Sequence, residues 1–409
     1  ISTSCAVHKK QKKNTHTHHF VQNLKCCFLN INHILSLGIL FFSIPHYYNC
    51  CIIIYCFIHY TYFVGEWSLY REERFLLHDN RKSNERIIIM FATDYGLSLL
   101  AEAQTWFVDG NFGLAPNFFT QLYVIRIQKN SVFITAIYCI LERKTQSTYE
   151  HIFRIIMEEC KKRDLYPDPL NFNLDFELAV INAAKLIFGN DINIRGCFYH
   201  LCQSTYRKVQ ELGLSNRYKE DEVFRLFCAM IDSLAFLPLN KVKEGMEYLK
   251  RNIPNEADDL LIYFEAYYVN GTYKRVGNAA GVNVNVRLRR LQPMFPPNTW
   301  NVHDTTLHGS HRTNNPTEGW NNRFAHLVGQ KHPTIWKLIR KIKNEVAADL
   351  GKLALNDVGE PFNKRKKLGL TQTTEKRLKE LCTRIQNDGI NIEGFLKAIA
   401  HNIRKRCND

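Results

Sequence analysis

Three acidic residues that lie far apart in this 409-residue chain are the side chains best suited to chemistry: Asp109, Asp175 and Glu318. Breaking or joining a phosphodiester requires charge to be stabilised on both the attacking and the leaving oxygen, and two divalent cations about 4 Å apart do this. Mg²⁺ and Mn²⁺ prefer oxygen ligands, whereas thiolates and imidazoles select softer metals. The three carboxylates are therefore candidate catalytic residues and candidate ligands of two Mg²⁺ or Mn²⁺ ions.

Each of these carboxylates also has a purely structural interpretation. Asp109 is followed by glycine, and Asp-Gly is a frequent hairpin turn. Asp175 is placed to cap the helix that we expect after it. Glu318 follows Asn315 and Pro316 in a pattern typical of a helix start, with Asn315 as the N-cap and Glu318 in a capping box. Taken singly, each carboxylate is explained without a metal.

The elements that must position these residues alternate between strands and helices. Runs rich in β-branched and aromatic residues predict strands at 104–108, 121–127, 132–141, 169–174 and 192–198. Apolar residues at helical spacing predict one helix that begins at an N-cap Ser147 and a second over 178–188. The order βββαβαβ is that of the ribonuclease H-like fold, an α/β fold in which helices flank a mixed sheet.

In such a sheet, adjacent strands end with Asp109 and Asp175 side by side. Two carboxylates held together at one sheet edge require compensation by a metal or a proton. Glu177 is a rival ligand, but the first turn of a helix accommodates a carboxylate without any metal. The pattern thus favours a paired acidic site, completed by Glu318 if its helix docks on the same sheet.

The remaining segments complete the domain organisation. Residues 201–270 lack strand-like runs and predict an all-helical insertion, 271–301 predicts a loop, and helical spacing resumes at Pro316 and again over 335–346. We divide the chain into an atypical apolar and Lys/His-rich segment (1–66), the first part of the core (67–200), a mainly helical insertion with a loop (201–310), the helix of Glu318 with its successor (311–350) and a basic C-terminal tail (351–409).

Composition favours a nucleic-acid partner. Lys and Arg number 54 against 39 Asp and Glu, which gives a formal net charge of +15 and a pI near 9.2, and such chains attract polyanions. Backbone phosphates are the expected partners of Arg287, Arg289, Arg290 and Arg312, and of the Lys/Arg runs at 364–367 and 404–406. These residues are equally compatible with solvated charge, and the runs also match nuclear localisation signals, so we expect a nuclear protein.

The first 66 residues differ from the rest. They begin with Ile1 rather than Met and contain two apolar stretches, 34–44 and 50–64, each shorter than the roughly 20 residues of a bilayer-spanning helix. A membrane anchor is the weaker interpretation, and we expect a disordered segment or an artefact of the gene model. The 13 cysteines lack the spacing of a disulfide framework, which indicates a reducing compartment.

One further motif combines a thiol and an imidazole, Cys197-x-x-His200. A structural zinc site needs two more ligands, and no second well-spaced pair follows in the sequence, so we do not expect one. His200 also has a purely structural interpretation, in which its polar side chain caps the next helix.

Several segments together resemble the Mutator-like element (MULE) transposase family over about 75–347. They are FLL at 75–77, FATD at 91–94, WFVDGNF at 106–112, QLY at 121–123, DFE at 175–177, GCFYHL at 196–201 and RTNNPTEGW at 312–320. The resemblance implies an Asp-Asp-Glu triad on Asp109, Asp175 and Glu318, with the helical insertion between the last two. It also places His200, together with Cys197, near the active site, where the histidine contacts DNA or orients a phosphate.

The resemblance further implies a DNA transposase that excises an element at its terminal inverted repeats and transfers the strands to target DNA. Its partners are then double-stranded DNA at the element ends and at the target, with a second copy of the chain as a candidate partner and no small-molecule substrate. Members often carry a zinc finger before the catalytic domain, and residues 1–66 lack its ligand spacing. A truncated or decayed copy that only binds DNA is therefore the alternative.

Overall fold

Seven strands form one mixed sheet in the computed structural model, which describes residues 63–81, 87–276, 287–309, 312, 314–359 and 369–403. Two pairs of short strands lie outside this sheet. In chain order the strands are β1 (Leu69–Tyr70), β2 (Glu73–Arg74), β3 (Leu76–Asp79), β4 (Ile88–Phe91), β5 (Thr105–Asn111), β6 (Gln121–Lys129), β7 (Val132–Leu141), β8 (Asn171–Leu174), β9 (Asn193–Gly196), β10 (Thr272–Val276) and β11 (Arg287–Leu291).

The strand order across the sheet is β3-β4-β7-β6-β5-β8-β9. β5, β6 and β7 form an antiparallel meander, because short connections return the chain to the neighbouring position. β8 and β9 then run parallel to β5, each reached through a helix as parallel pairing requires. The strand that ends near Asp109 therefore lies inside the sheet, between an antiparallel and a parallel neighbour.

Helices account for most of the remaining described residues. They are α1 (Asp94–Glu102), α2 (Gln146–Lys161), α3 (Leu178–Phe188), α4 (Phe198–Glu211), α5 (Ser215–Glu220), α6 (Glu222–Ser233), α7 (Val242–Arg251), α8 (Asp258–Phe264), α9 (Pro297–Trp300), α10 (His303–Leu307), α11 (Asn315–Val328), α12 (Ile335–Asp357), α13 (Gly369–Gln386) and α14 (Ile392–Ile403). Thr145, rather than Ser147, is the N-cap of α2, since its side chain accepts a hydrogen bond from the amide of Thr148. Within the described ranges, no helix has the length and hydropathy that crossing a bilayer demands.

Helices cover both faces of the sheet. On one face α2 and α3 enclose an aromatic cluster in which Trp106 and Phe172 contact Phe153 and Phe188. On the other face α11 and α12 pack against β5 and β7, and the Trp320 ring of α11 lies 6.2 Å from the Tyr138 ring. Both faces of the strands are consequently buried, which explains their nearly continuous apolar runs.

The segment 271–301, for which we expect a loop, contains an antiparallel hairpin of β10 and β11. The cross-strand partners include Tyr273 with Arg290 and Arg275 with Leu288. Tyr273 and Leu288, which share one face, are 67% and 64% exposed, and Lys274 and Arg289 on the other face are also exposed. Neither face of the hairpin is therefore buried, and the usual alternation of apolar and polar residues is missing. Strand prediction from alternation fails for this reason.

The segment expected to be a basic tail contains the end of α12 and two further helices. α14 packs against α6 and α7 of the insertion, and α13 packs against α10 and α14. Buried apolar residues line the inner faces of α13 and α14: Leu378, Cys382, Ile385, Phe395, Leu396 and Ile399. The helices are stabilised by burial of this stripe, which charged residues obscure in the sequence. Residues 1–62, 364–367 and 404–406 lie outside the described part of the chain.

Replacing Gly196 by alanine is expected to lower the free energy of unfolding by about 1–3 kcal/mol, because overpacking a buried site forces its neighbours apart. A Cβ at Gly196 would lie 2.6 Å from the Phe176 ring and 3.1 Å from the Thr299 carbonyl oxygen. Gly351→Ala is the matched control, since its Cβ would meet open space on α12. This substitution should raise the free energy of unfolding by about 0.5–1 kcal/mol, because alanine favours a helix over glycine. Urea unfolding measures both, and equal stabilities of the two variants would contradict the packing described here.

Candidate functional site

Asp109 lies on β5, and Asp175 directly follows the last residue of the adjacent parallel strand β8. β5 pairs with β8 so that Phe107 is opposite Asn173, and two residues further along each chain come Asp109 and Asp175. Side chains two apart on a strand share a face, so both carboxylates lie on the face that α11 covers. The sequence prediction that the two aspartates meet at one sheet edge agrees with this register.

The charge of Asp175 affects the ionisation of Asp109. Burial, and then the charge of Asp175, raise the pKa of Asp109 to about 7, against opposing hydrogen bonds. Burial also raises the pKa of Asp175, while His200 and Lys144 act in the opposite direction. Negative charge is therefore concentrated in a poorly hydrated place, where a bound cation would lower the free energy of the ionised state.

Glu318 reaches the same place from α11. The charge of Glu318 is a further cause of the raised pKa of Asp109. The start of α11 is fixed on the sheet by the side chain of Asn314, which donates to the Val108 carbonyl at 3.2 Å, and by Arg126 of β6, which donates to the Pro316 carbonyl at 2.6 Å. The structure thus brings all three predicted carboxylates to one end of β5.

The local geometry differs from the structural interpretations of these carboxylates. The N-cap of α11 is Asn314 and not Asn315, which moves Glu318 beyond the position that a capping box requires. Asp175 is not the cap of α3, because that place is taken by Glu177, whose side chain makes no capping bond. The side chains of Glu318 and Asp175 are therefore free of the capping roles that the sequence left open.

Asn321 is a site residue that the sequence analysis missed. Its side-chain amide donates to Asp109 Oδ2 at 2.7 Å, while Gly110 donates its backbone N–H to Asp109 Oδ1 at 2.8 Å. These two bonds fix the orientation of the carboxylate. The available signal was spacing, since Asn321 follows Glu318 by three residues and shares its helix face.

A second group that the sequence analysis missed holds Glu177. Tyr149 donates to Glu177 Oε1 at 3.0 Å and accepts a bond of 2.5 Å from Gln121 Nε2. Burial, and then the charge of Asp175, raise the pKa of Glu177. The hydrogen-bond donor to Glu177 is therefore a neutral hydroxyl and not a cation. Glu177 adds a fourth carboxylate to the group of Asp109, Asp175 and Glu318.

Cys197 and His200 lie at the start of α4, beside Glu318. The Cys197 thiol donates to Glu318 Oε1 at 3.4 Å, and a ring nitrogen of His200 lies within 4.8 Å of both the sulfur and a carboxylate oxygen of Glu318. His200 also acts electrostatically on Asp175. The histidine therefore lies next to the carboxylates, as the resemblance implies.

The basic residues expected to contact DNA fall into two groups. Arg289 and Arg290 are exposed on β11, and Arg290 donates to the Asn270 carbonyl. Arg287 belongs to the same strand, but its side chain lies outside the described part of the chain. Arg312 is different, because its side chain is only 8% exposed and forms an ion pair of 2.6 Å with Glu375 of α13. Arg312 consequently connects α13 to the start of α11 rather than presenting its charge to solvent.

Without bound metal, the protein is expected to become less stable as the pH rises from about 4 to about 7. Within this window folded Asp109, with its pKa raised from 3.8 to about 7, keeps a proton that the unfolded chain has lost. Stability falls with pH wherever the folded state binds more protons, here by up to about 4 kcal/mol. Urea unfolding in a chelator measures the slope, which Asp109→Asn should reduce; equal slopes would contradict the assignment.

No protein-family model matches this chain, and a search of curated proteins finds no match.

Proposed function

We propose that this chain is a DNA transposase of the Asp-Asp-Glu class, which catalyses metal-dependent phosphodiester hydrolysis and strand transfer at terminal inverted repeats. One observation carries the proposal: the charges of both Asp175 and Glu318 act on the buried Asp109 carboxylate, two residues beyond the parallel pair of Phe107 and Asn173. Bringing three carboxylates from distant parts of a chain together in a poorly hydrated site is energetically costly unless a bound cation compensates their charge.

The architecture supports the finer fold assignment that we propose, a ribonuclease H-like core. From β5 to β9 the element order is βββαβαβ, and these strands belong to one mixed sheet with helices on both faces. The elements from α4 to α8 separate this core from α11, as the resemblance to Mutator-like transposases implies. We extend the proposal to that family on the strength of the quoted motifs.

The donor set fits two hard divalent cations, because carboxylate oxygens predominate and because burial, followed by the charges of Asp175 and Glu318, raises the pKa of Asp109. Asp109, Asp175 and Glu318 would hold Mg²⁺ or Mn²⁺. When bound, such ions supply Lewis acidity at the attacking and leaving oxygens. Asn321 orients the Asp109 carboxylate, and the exposed Lys144, which acts electrostatically on Asp175 and Glu177, is suited to contact a DNA phosphate.

Charge supports double-stranded DNA as the substrate and the nucleus as the compartment. The chain carries a formal +15, and β11 adds exposed arginines on a hairpin that projects both faces to solvent. Phosphate contacts of this kind release counterions, so binding is expected to weaken steeply with salt.

The test is a cleavage and strand-transfer assay with the full chain. Its DNA substrates are a supercoiled plasmid and duplexes from the genomic flanks of the coding sequence, each with Mg²⁺, with Mn²⁺ or with a chelator. We expect nicks or double-strand ends that leave 3′ hydroxyls, and products joined to target DNA, only where Mg²⁺ or Mn²⁺ is present. Cleavage that persists in the chelator would overturn the metal-dependent mechanism.

A second candidate function, an inactive transposase-derived protein that binds DNA, is favoured by one observation. The Asp109 carboxylate is satisfied by Asn321 and Gly110, and Glu318 accepts a bond from Cys197, so the fold does not require metal for these groups. DNA binding without any metal-dependent cleavage would select this alternative.

A further inference from the structure

Beside the three carboxylates lies a group of different chemical character, which we call the Cys-His-Glu group: Cys197, His200 and Glu318. One ligand atom from each of the three residues lies within 4.8 Å of the other two. No second Cys/His pair follows His200 in the sequence, which argued against zinc, but the third ligand comes from α11, 118 residues further along the chain. Sequence motifs for zinc sites rest on short spacings between ligands, and a glutamate 118 residues away falls outside them.

We propose that the Cys-His-Glu group binds one Zn²⁺ ion through the Cys197 sulfur, a His200 ring nitrogen and a Glu318 carboxylate oxygen. Thiolate and imidazole are ligands that Zn²⁺ prefers and Mg²⁺ avoids. Three protein ligands with a fourth position left for water form the open type of zinc site. This site goes beyond the proposed function, and the binding of zinc to it does not depend on transposase activity.

The geometry is close to what a tetrahedral ion needs. Bonds of about 2.3 Å to sulfur and about 2.0–2.1 Å to nitrogen or oxygen put neighbouring ligand atoms about 3.5 Å apart. The sulfur of Cys197 already lies 3.4 Å from Glu318 Oε1. Cys197 is the N-cap of α4 and His200 is its third residue, so one helix start presents both side chains on the same side.

The surroundings of the group also suit a metal-bound thiolate. Burial raises the pKa of the Cys197 thiol to about 12, and the backbone amides of Asn314, His200 and Tyr199 oppose this rise; the Asn314 amide donates to the sulfur at 3.2 Å. Such second-layer donors stabilise the charge of a ligating sulfur. Within the described residues the buried Nδ1 atom of His200 has no hydrogen-bond partner, and a ligated metal or a second-layer acceptor would satisfy it.

Zinc in the Cys-His-Glu group would compete with hard cations for Glu318. The glutamate cannot serve fully as an oxygen ligand for Mg²⁺ while it is bound to Zn²⁺, so the two metals act against each other. This consequence rests on the proposed function: where the chain cleaves DNA with Mg²⁺, we expect low concentrations of Zn²⁺ to inhibit and Cys197→Ser to relieve that inhibition.

The experiment uses the reduced full chain, stripped of metal and titrated with Co²⁺ as a spectroscopic substitute for Zn²⁺. We expect a thiolate-to-cobalt charge-transfer band that Zn²⁺ abolishes and that excess Mg²⁺ leaves unchanged. Cysteines elsewhere in the chain also bind Co²⁺, so the decisive quantity is the difference between variants. Cys197→Ser should lower the absorbance of the band by the amount that corresponds to one bound Co²⁺ per chain. The matched control Cys202→Ser, on the same helix, should keep the full absorbance.

A second variant keeps the test sharp if Cys197→Ser does not fold, as a thermal melt would reveal. His200→Ala retains the sulfur and should weaken Co²⁺ binding at this site at least tenfold. Bands of equal intensity and affinity in the wild type, Cys197→Ser and His200→Ala would overturn the zinc site. Because no DNA is present, an inactive protein that shows the cobalt band would leave the zinc site standing while the proposed function failed.

Discussion

Asp109→Asn is expected to reduce metal-dependent DNA cleavage by about a thousandfold or more. The substitution keeps the shape of the side chain but removes the charge that would hold a divalent cation at the end of β5. Metal ions contribute several kcal/mol of transition-state stabilisation, and each 1.36 kcal/mol corresponds to a factor of ten in rate. Initial rates of plasmid nicking under single-turnover conditions, in Mg²⁺ and in Mn²⁺, measure the effect.

The matched control for this prediction is a carboxylate distant from the site. Glu102 is exposed and pairs with Lys129 on the surface, so Glu102→Gln should cleave DNA at the wild-type rate. Asp109→Asn should remain folded, since it relieves repulsion between buried carboxylates. An Asp109→Asn protein that cleaves DNA as fast as the wild type would end the enzymatic assignment.

The second large effect concerns the stability of the helix that carries Glu318. Glu345 of α12 is fully buried and accepts hydrogen bonds of 2.8 Å from Trp320 Nε1 and from Arg323 Nη1 of α11. Glu345→Ala would leave the buried Trp320 donor unpaired, which costs about 1–3 kcal/mol, whereas Arg323, whose side chain is 47% exposed, can be solvated by water instead. Urea denaturation should show this decrease in the free energy of unfolding, and DNA cleavage should fall with it because α11 loses its attachment.

An exposed glutamate of another helix serves as the comparison. Glu393 pairs with Lys397 on α14, and the two side chains are about half exposed, so Glu393→Ala should leave the free energy of unfolding close to that of the wild type. If Glu345→Ala were as stable as Glu393→Ala, the contact between α11 and α12 could not position the glutamate in the way described.

Much of the core could be predicted from the sequence, because local patterns and burial agree there. The strand over 132–141 and the helix over 178–188 have the predicted bounds, since β-branched runs and helical apolar spacing coincide with elements that face the core. Boundaries set by single hydrogen bonds were less accessible. Thr145 rather than Ser147 is the N-cap of α2, and Asn314 rather than Asn315 is the N-cap of α11, because two candidates within one or two residues of each other carry the same cap signal.

The site was predictable in its carboxylates but not in the groups that surround them. The strand ends and the motifs pointed to Asp109 and Asp175, and the register of β5 and β8 follows from parallel pairing. Asn321, by contrast, is recognisable only when α11 is docked and its amide is seen to reach Asp109. The Glu318 contact with Cys197 joins parts of the chain 121 residues apart, and no local pattern encodes such a distance.

Manganese binding by the full chain tests most directly whether the three carboxylates converge on hard cations. Electron paramagnetic resonance of free Mn²⁺ gives a binding isotherm without any DNA substrate, for the wild type and for Asp109→Asn, Asp175→Asn and Glu318→Gln. We predict that each variant binds Mn²⁺ more weakly than the wild type, with a dissociation constant at least tenfold larger. Glu102→Gln should bind Mn²⁺ as the wild type does. A Glu318→Gln protein with the wild-type isotherm would show that this glutamate is not a ligand and would contradict the account.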